Sequence, residues 1–184
     1  MRLSKDYQYQ ILCEDVQMRT FIQSVLTHQG INARKIRISN CPDGEGCGEA
    51  FVRREFAREY KILKSANYIR KVLIVCTDAD NLSVDERLKV LRNELENNQI
   101  KWEGASEPII MWIPKRQIET WIRLLKGEPV DEEMTFRHTG KPVSCKEEAK
   151  IFSMFCQDIA NVDCSNVDSL KMAKDEYIRV CKLQ

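Results

Sequence analysis

The chain has 184 residues, of which 43% are hydrophobic, and its formal net charge is +1. This length fits one domain with its own core, and the near-neutral charge excludes the overall positive field of many nucleic-acid-binding domains. No apolar run approaches the ~20 residues that cross a bilayer, and the first ten residues contain no apolar secretory segment. We therefore expect a cytoplasmic protein.

The sequence contains eight cysteines. In a chain without a secretory signal we expect them to be reduced, and Cys13 and Cys76 lie inside apolar runs that predict burial. A zinc site is the alternative, but the C-x-x-C pair typical of zinc ligands occurs nowhere in the sequence.

The first half of the chain predicts two strands and two helices. Residues 9–13, "YQILC", predict a first strand, and an amphipathic helix follows from Val16 to an end near Gly30. Residues 33–39, "ARKIRIS", alternate charged and apolar side chains, which is typical of a strand exposed on one face. A glycine-rich loop then leads into a helix that begins at Glu49.

The next stretch repeats this alternation. Residues 71–77, "KVLIVCT", are mostly apolar, as in a strand that is covered on both faces. Ser83 and Glu86 form an S-x-x-E capping box that predicts the start of a helix. Residues 108–114, "PIIMWIP", predict a fourth strand, and the helix after it ends at Gly127.

Strand and helix thus alternate four times across residues 1–126, with connections too long for hairpins. This pattern predicts an α/β core with a mostly parallel, Rossmann-like sheet of four strands and helices on both faces. Residues 127–184 begin with a polar, irregular stretch. Two amphipathic helices follow, over 146–160 and 166–182, with Ile159 among the inward-facing side chains. We expect this C-terminal helical pair to pack on the core as an extension of it.

Acidic residues follow three of the four predicted strands. Glu14 follows the first, Asp78 and Asp80 follow the third, and Glu119 lies just after the fourth. Ligands of open parallel sheets bind beyond the carboxyl ends of the strands, so we expect these carboxylates to converge. Crowded carboxylates repel one another, and oxygen ligands without a nearby histidine favour Mg²⁺ or Mn²⁺. A simple turn cap at the Asp-x-Asp is the alternative.

Candidate phosphate contacts lie near the same edge of the sheet. They are basic side chains and glycines: Lys115, Arg116, Arg53, Arg54, Gly46 and Gly48. The glycines belong to the loop "DGEGCGE", whose backbone N–H groups precede a helix N-terminus, the usual site of phosphate binding. A solvated helix face and a plain turn are the alternatives for these two stretches.

The acids after "YQILC" and "VLIVCT" resemble the Toprim fold, the catalytic domain of topoisomerases, bacterial primases and OLD-type nucleases. In that family the glutamate acts as general acid/base or metal ligand, and the two aspartates hold Mg²⁺. The resemblance gives these roles to Glu14, Asp78 and Asp80. The family usually has glycine after its glutamate, whereas this chain has Asp15, which adds a negative charge.

The stretch "PKRQIETW" is similar to a Pro-basic-x-x-Glu-x-Trp stretch in small stand-alone Toprim-like proteins of bacterial defence loci. This resemblance implies that Glu119 supports the metal site and that Lys115 or Arg116 contacts phosphate. It further implies a Mg²⁺- or Mn²⁺-dependent nuclease that cuts DNA or RNA. Such a chain would act as the effector subunit of an anti-phage defence complex, with a partner such as an ATPase.

Two other classes of function stay open. One is a non-catalytic Toprim-like module that binds nucleic acid or a nucleotide signal, which Asp15 and the near-neutral charge fit. The other is a metal-dependent nucleotidyl or glycosyl transferase, because such enzymes also use Asp-x-Asp with Mn²⁺, although the small size argues against it. The nuclease hypothesis requires Glu14 to face Asp78 and Asp80.

Overall fold

Strands and helices alternate along the chain in the computed structural model, which describes residues 1–41, 48–65, 70–136 and 142–184. The strands are β1 (Gln8–Cys13), β2 (Ile36–Asn40), β3 (Lys71–Cys76) and β4 (Ile109–Trp112). The helices are α1 (Val16–His28), α2 (Gly48–Ser65), α3 (Val84–Asn97), α4 (Ile118–Leu125), α5 (Lys146–Cys156) and α6 (Asp168–Cys181).

The four strands form one fully parallel sheet in the order β2-β1-β3-β4. The central strands β1 and β3 pair in register from Gln8 opposite Lys71 to Cys13 opposite Cys76. Apart from its first residue, each of these strands is entirely buried. Their apolar runs reflect this position, since a central parallel strand is covered on both faces.

Helices cover both faces of the sheet. On one face α1, α4, α5 and α6 pack over side chains such as Ile11 and Trp112. On the other face α2 and α3 cover Leu12 and Val75. Within the first layer α5 packs against α1, and α6 lies against β4. The predicted α/β class is confirmed, including the C-terminal helical pair, which contributes to the same core as the sheet.

The second strand begins later than its alternating pattern predicts. Ala33–Lys35 form a 3-10 turn, because Asn32 caps it by accepting a hydrogen bond from the backbone N–H of Arg34 at 2.9 Å. The strand itself begins at Ile36. Predicting a strand from Ala33 was therefore wrong by three residues.

The first C-terminal helix ends earlier than predicted. It stops at Cys156, and Asp158 then adopts the left-handed backbone conformation with φ of +59°. Ile159, predicted to face inward, is consequently 58% exposed. The predicted inward position of Ile159 is wrong because the helix no longer sets its direction.

The structure bears on two expectations from the composition, namely reduced cysteines and no membrane-spanning segment. Cys13, Cys76, Cys145 and Cys156 are free thiols, and all four are buried. Burial raises the pKa of Cys13 to about 12, so this thiol stays protonated at neutral pH. In the described part of the chain, no helix combines the length and apolar character that crossing a membrane requires.

The strand order places a reversal between β1 and β3. The chain leaves β1 through α1 toward β2 on one side, and it leaves β3 through α3 toward β4 on the other. Ligands of open parallel sheets bind where such connections diverge, outside the carboxyl ends of the strands. In this fold that crevice lies between the residues that follow Cys13 and those that follow Cys76.

Candidate active site

Glu14 and Asp78 converge in the crevice between β1 and β3. Glu14 Oε1 accepts a hydrogen bond from the hydroxyl of Thr77 and another from the backbone N–H of Asp78, the second at 3.0 Å. Thr77 is fully buried and Glu14 is half-buried. A carboxylate that follows β1 therefore reaches the backbone that leaves β3, as the sequence predicts.

Asp78 carries a buried carboxylate oxygen that no described residue satisfies. Its Oδ1 is buried and has no hydrogen-bond partner among the described residues. Burial raises the pKa of Asp78 well above its usual range, and the negative charges of Glu14, Asp15, Asp80 and Glu119 raise it further. Because repulsion among these acids favours the protonated form, a bound cation would relieve both the repulsion and the missing contact.

Glu14 titrates in the neutral range. Burial raises its pKa to about 7, the hydrogen bonds from Thr77 and Asp78 oppose this rise, the charge of Asp80 adds to it and that of Arg87 reduces it. A carboxyl with such a pKa holds or releases a proton near neutral pH, which is what general acid–base chemistry requires.

Asp80 lies at the rim of the crevice and directs its carboxylate toward α3. Its Oδ2 is 3.0 Å from Nη2 of Arg87, and the Asp80 side chain is 57% exposed, whereas that of Arg87 is 8% exposed. The φ of Asp80 is +56°, in the left-handed region that aspartate tolerates better than most residues. The Asp-x-Asp pair therefore splits, with one acid inside the crevice and the other paired at its rim.

Two further acids stand near Asp78 on different elements. Glu119, half-buried in the first turn of α4, is close enough for its charge to raise the pKa of Asp78. Asp15 caps α1, because its Oδ1 accepts a hydrogen bond from the backbone N–H of Met18 at 2.8 Å. The acid that stands where Toprim proteins usually have glycine thus stabilises the start of a helix.

The predicted phosphate contacts after β4 hold the turn after β3. Lys115 Nζ donates to the carbonyl of Leu82 at 3.0 Å, and Arg116 Nη1 donates to the carbonyl of Asp80 at 2.9 Å. Both side chains also pair with Glu133, at 3.2 Å and 2.6 Å. They therefore fix the backbone beside the crevice, and their contact with phosphate stays a prediction.

The basic side chains of α2 are paired to different degrees. Arg53 lies 3.4 Å from a carboxylate oxygen of Glu49 and 3.4 Å from one of Glu94. Arg54 is largely exposed, and its guanidinium lies 5.8 Å from the ring centroid of Phe51. Arg54 is thus the more accessible of the two predicted phosphate contacts on this helix.

Gly48 begins α2 directly against Glu14. A Cβ atom at this position would lie 2.8 Å from the Cβ of Glu14, closer than side chains pack. Only glycine permits this approach, so Gly48 sets how near α2 comes to the crevice. Gly46 belongs to residues 42–47, which lie outside the described residues.

The donor chemistry of the crevice fits a divalent cation. Carboxylate oxygens are the ligands that Mg²⁺ and Mn²⁺ prefer, and the buried Oδ1 of Asp78 lacks a partner in the part of the chain that the structure describes. In the described ranges, however, no three His, Cys, Asp or Glu side chains are gathered as a metal ion requires. The contacts of Glu14 with Thr77 and of Asp80 with Arg87 explain this, because they engage both carboxylates elsewhere. Asp78, Glu14 and a released Asp80 would hold the ion.

Three contributors to the site were not predicted from the sequence. The sequence shows Thr77 as a hydroxyl residue at the end of an apolar strand and Arg87 as a basic residue in the first turns of a predicted helix. Neither pattern indicates which residues they contact. Glu133 lies in an irregular segment, where no periodic pattern indicates its neighbours. All three act through contacts between residues that lie far apart in the sequence or on different elements.

Comparison with known proteins adds no relative to this description. No protein-family profile, curated protein or solved structure matches the chain. The resemblance to Toprim-like proteins therefore depends on the motifs around Glu14, Asp78 and Glu119 alone.

Proposed function

We propose that this chain is a Mg²⁺- or Mn²⁺-dependent nuclease of Toprim type that hydrolyses phosphodiester bonds of DNA or RNA. One observation carries the proposal: Glu14 and Asp78 meet at the switch point of a parallel sheet, and the buried Oδ1 of Asp78 has no partner among the described residues. A buried carboxylate without a partner beside further acids is destabilising, and such an arrangement is typical of a site that binds a ligand.

The side chains of the crevice take separate roles in this proposal. Asp78 and a released Asp80 hold the cation, and Glu14, whose pKa is about 7 before the cation binds, serves as a further ligand or takes a proton from the attacking water. Thr77 orients the carboxylate of Glu14 by donating a hydrogen bond to it. The cation, when bound, neutralises charge on the phosphate and lowers the pKa of a water.

The proposal extends to the setting in which the chain acts. The 184 residues contain no ATPase motif, so an ATPase or another subunit would supply control. We place the chain as the cytoplasmic effector of a bacterial anti-phage defence complex. This part of the proposal depends on the resemblance of "PKRQIETW" to defence-associated Toprim-like proteins.

Cleavage assays test the proposed activity. Plasmid DNA and single-stranded RNA are incubated with the protein and Mg²⁺, Mn²⁺ or EDTA. We expect metal-dependent cleavage by the wild type and a loss of about 100-fold or more in Asp78→Asn and Glu14→Gln. The matched control is Asp175→Asn, which makes the same change at an exposed residue of α6. Equal cleavage by Asp78→Asn would show that the crevice is not the active site.

A non-catalytic module is the second candidate function. It is favoured by the engagement of Asp80 with Arg87 and by the absence, within the described residues, of a gathered set of three acids. This candidate predicts that the wild type retards nucleic acid on a gel in EDTA and cleaves nothing when metal is added. Turnover of a nucleotide sugar with Mn²⁺ would instead favour the transferase.

A further inference from the structure

Arg87 is a buried cation between α2 and the crevice. Its Nη1 lies 2.8 Å from Glu49 Oε1, and its Nη2 lies 3.0 Å from Asp80 Oδ2. The same Nη2 is 3.4 Å from the carbonyl of Ala79, and Nε is buried without a partner within the described residues. Since the side chain is 8% exposed, these two carboxylates rather than water balance its charge.

Opening the ion pair requires less free energy for Asp80 than for Arg87. Its carboxylate is 57% exposed, so water can replace the guanidinium when the ion pair opens. Its backbone carbonyl is held separately by Arg116, whose Nη1 also donates to Asn81 Oδ1 at 2.7 Å. Opening the pair therefore moves the side chain of Asp80 while the turn stays in place.

The charges of Arg87 and Asp80 both reach the interior of the crevice. Arg87 lowers the pKa of Glu14, whereas Asp80 raises it. Removing Arg87 would accordingly leave the crevice more negative and Asp80 without its partner. Both changes favour a divalent cation.

We propose that Arg87 is a built-in counter-cation that competes with the divalent ion for the carboxylate of Asp80. Arg87 neutralises Asp80 in the ion pair, and metal binding requires Asp80 to leave Arg87. The inference rests on the proposed function and adds to it a residue that sets metal affinity. Because only the released fraction of Asp80 completes the site, the pair lowers the apparent affinity for metal.

Mn²⁺ titrations followed by electron paramagnetic resonance of the free ion test the competition without measuring cleavage. We expect Arg87→Gln to bind Mn²⁺ about ten-fold more tightly than the wild type, while Arg87→Lys, which keeps the charge, stays near it. The matched control is Arg92→Gln. Arg92 is an exposed residue of the same helix whose guanidinium lies over the ring of Trp102 at 5.7 Å.

A second variant gives the opposite expected result and leaves Arg87 in place. Glu49→Gln removes the other carboxylate that Arg87 pairs with, so Arg87 should hold Asp80 more firmly. We expect Mn²⁺ binding several-fold weaker than in the wild type. This variant keeps the inference testable where Arg87→Gln fails to fold.

The outcomes separate the inference from the proposed function. If the wild type binds Mn²⁺ but Arg87→Gln binds no more tightly than Arg92→Gln, or Glu49→Gln binds no more weakly than the wild type, the competition is overturned and the metal site stands. If neither the wild type nor Arg87→Gln binds Mn²⁺, both proposals fail. Binding by Arg87→Gln alone would support the competition in its strongest form.

Discussion

The two ends of β3 differ in whether their buried charges are paired. At the amino end Lys71 Nζ lies 3.1 Å from Glu59 Oε2, and the two side chains are 11% and 9% exposed. At the carboxyl end Asp78 Oδ1 is buried without a partner among residues 1–41, 48–65, 70–136 and 142–184, and the charged groups that most affect it are acids. Stability requires pairing of buried charges, so the second arrangement is a cost that a ligand would offset.

The paired arrangement recurs beside the amino ends of the strands. Glu107, buried just before β4, accepts hydrogen bonds from Tyr60 Oη at 2.9 Å and from Lys64 Nζ at 3.2 Å. The fold thus neutralises its buried acids away from the crevice. Among the described residues, the buried acids Glu59 and Glu107 are therefore paired with lysines, whereas Asp78 in the crevice is not.

The largest expected loss of stability comes from removing the ion pair at the amino end of β3. Lys71→Met leaves Glu59 buried without its cation, and we expect the free energy of unfolding to fall by about 3–5 kcal/mol. Urea denaturation measures this. Lys61→Met makes the same change at an exposed residue of α2 and should cost less than about 0.5 kcal/mol. Equal losses in the two variants would show that the Lys71–Glu59 pair is not a buried ion pair in solution.

At the unpaired end stability should depend on pH. The pKa of Glu14 rises from an ordinary 4.5 to about 7 on folding, so the folded protein binds a proton more readily than the unfolded chain between these values. In EDTA we therefore expect the ionisation of Glu14 alone to decrease the free energy of unfolding by about 3 kcal/mol as pH rises from 4.5 to 7. The raised pKa of Asp78 acts in the same direction.

Glu14→Gln provides the control for this slope. The variant cannot ionise at that position, so its stability should change less over the same pH range. It should exceed the stability of the wild type at pH 8 in EDTA. A wild type whose stability rises with pH over this range would contradict the unpaired state of the crevice.

Gly48→Ala tests how closely α2 approaches the crevice. The new methyl group would collide with the Cβ of Glu14, so we expect a loss of about 1–3 kcal/mol and weaker Mn²⁺ binding. Gly104→Ala is the control, because nothing lies within 4 Å of a Cβ there, although its φ of +75° adds strain. Unchanged Mn²⁺ affinity in Gly48→Ala would show that the position of α2 does not affect the metal site.

Local signals account for the parts of the fold that the sequence predicts. The apolar runs of β1 and β3 require burial on both faces, and the capping box is present, with Glu86 N donating to Ser83 Oγ at 3.2 Å. The start of β2 and the exposure of Ile159 were missed, because each depends on the backbone of a short turn whose residues carry no periodic pattern.

In the candidate site, too, one feature could be predicted from the sequence and another could not. The convergence of Glu14 and Asp78 follows from parallel strand order, which the alternation of elements predicts. The partner of Asp80 does not, since Arg87 sits on the following helix and its direction depends on Glu49 of another helix. Side-chain choices of this kind depend on the assembled fold.

The smallest expected effect concerns the orientation of Glu14. Thr77→Val removes the hydroxyl that donates to Glu14, so we expect the pKa of Glu14 to rise further and stability at pH 8 to fall by about 1 kcal/mol. Thr77→Ser keeps the donor and should restore both quantities. Carbon-13 NMR titration of the carboxyl groups measures the pKa of Glu14. An unchanged pKa of Glu14 in Thr77→Val would show that Thr77 does not influence this carboxyl group.

Diffraction from crystals soaked in Mn²⁺ tests most directly whether the unpaired end of β3 is a cation site. We predict an anomalous scattering peak in the crevice, within direct coordination distance of Asp78 Oδ1 and beside the carboxylate of Glu14. An empty crevice at saturating Mn²⁺, or a peak bound only to acids elsewhere, would contradict the account.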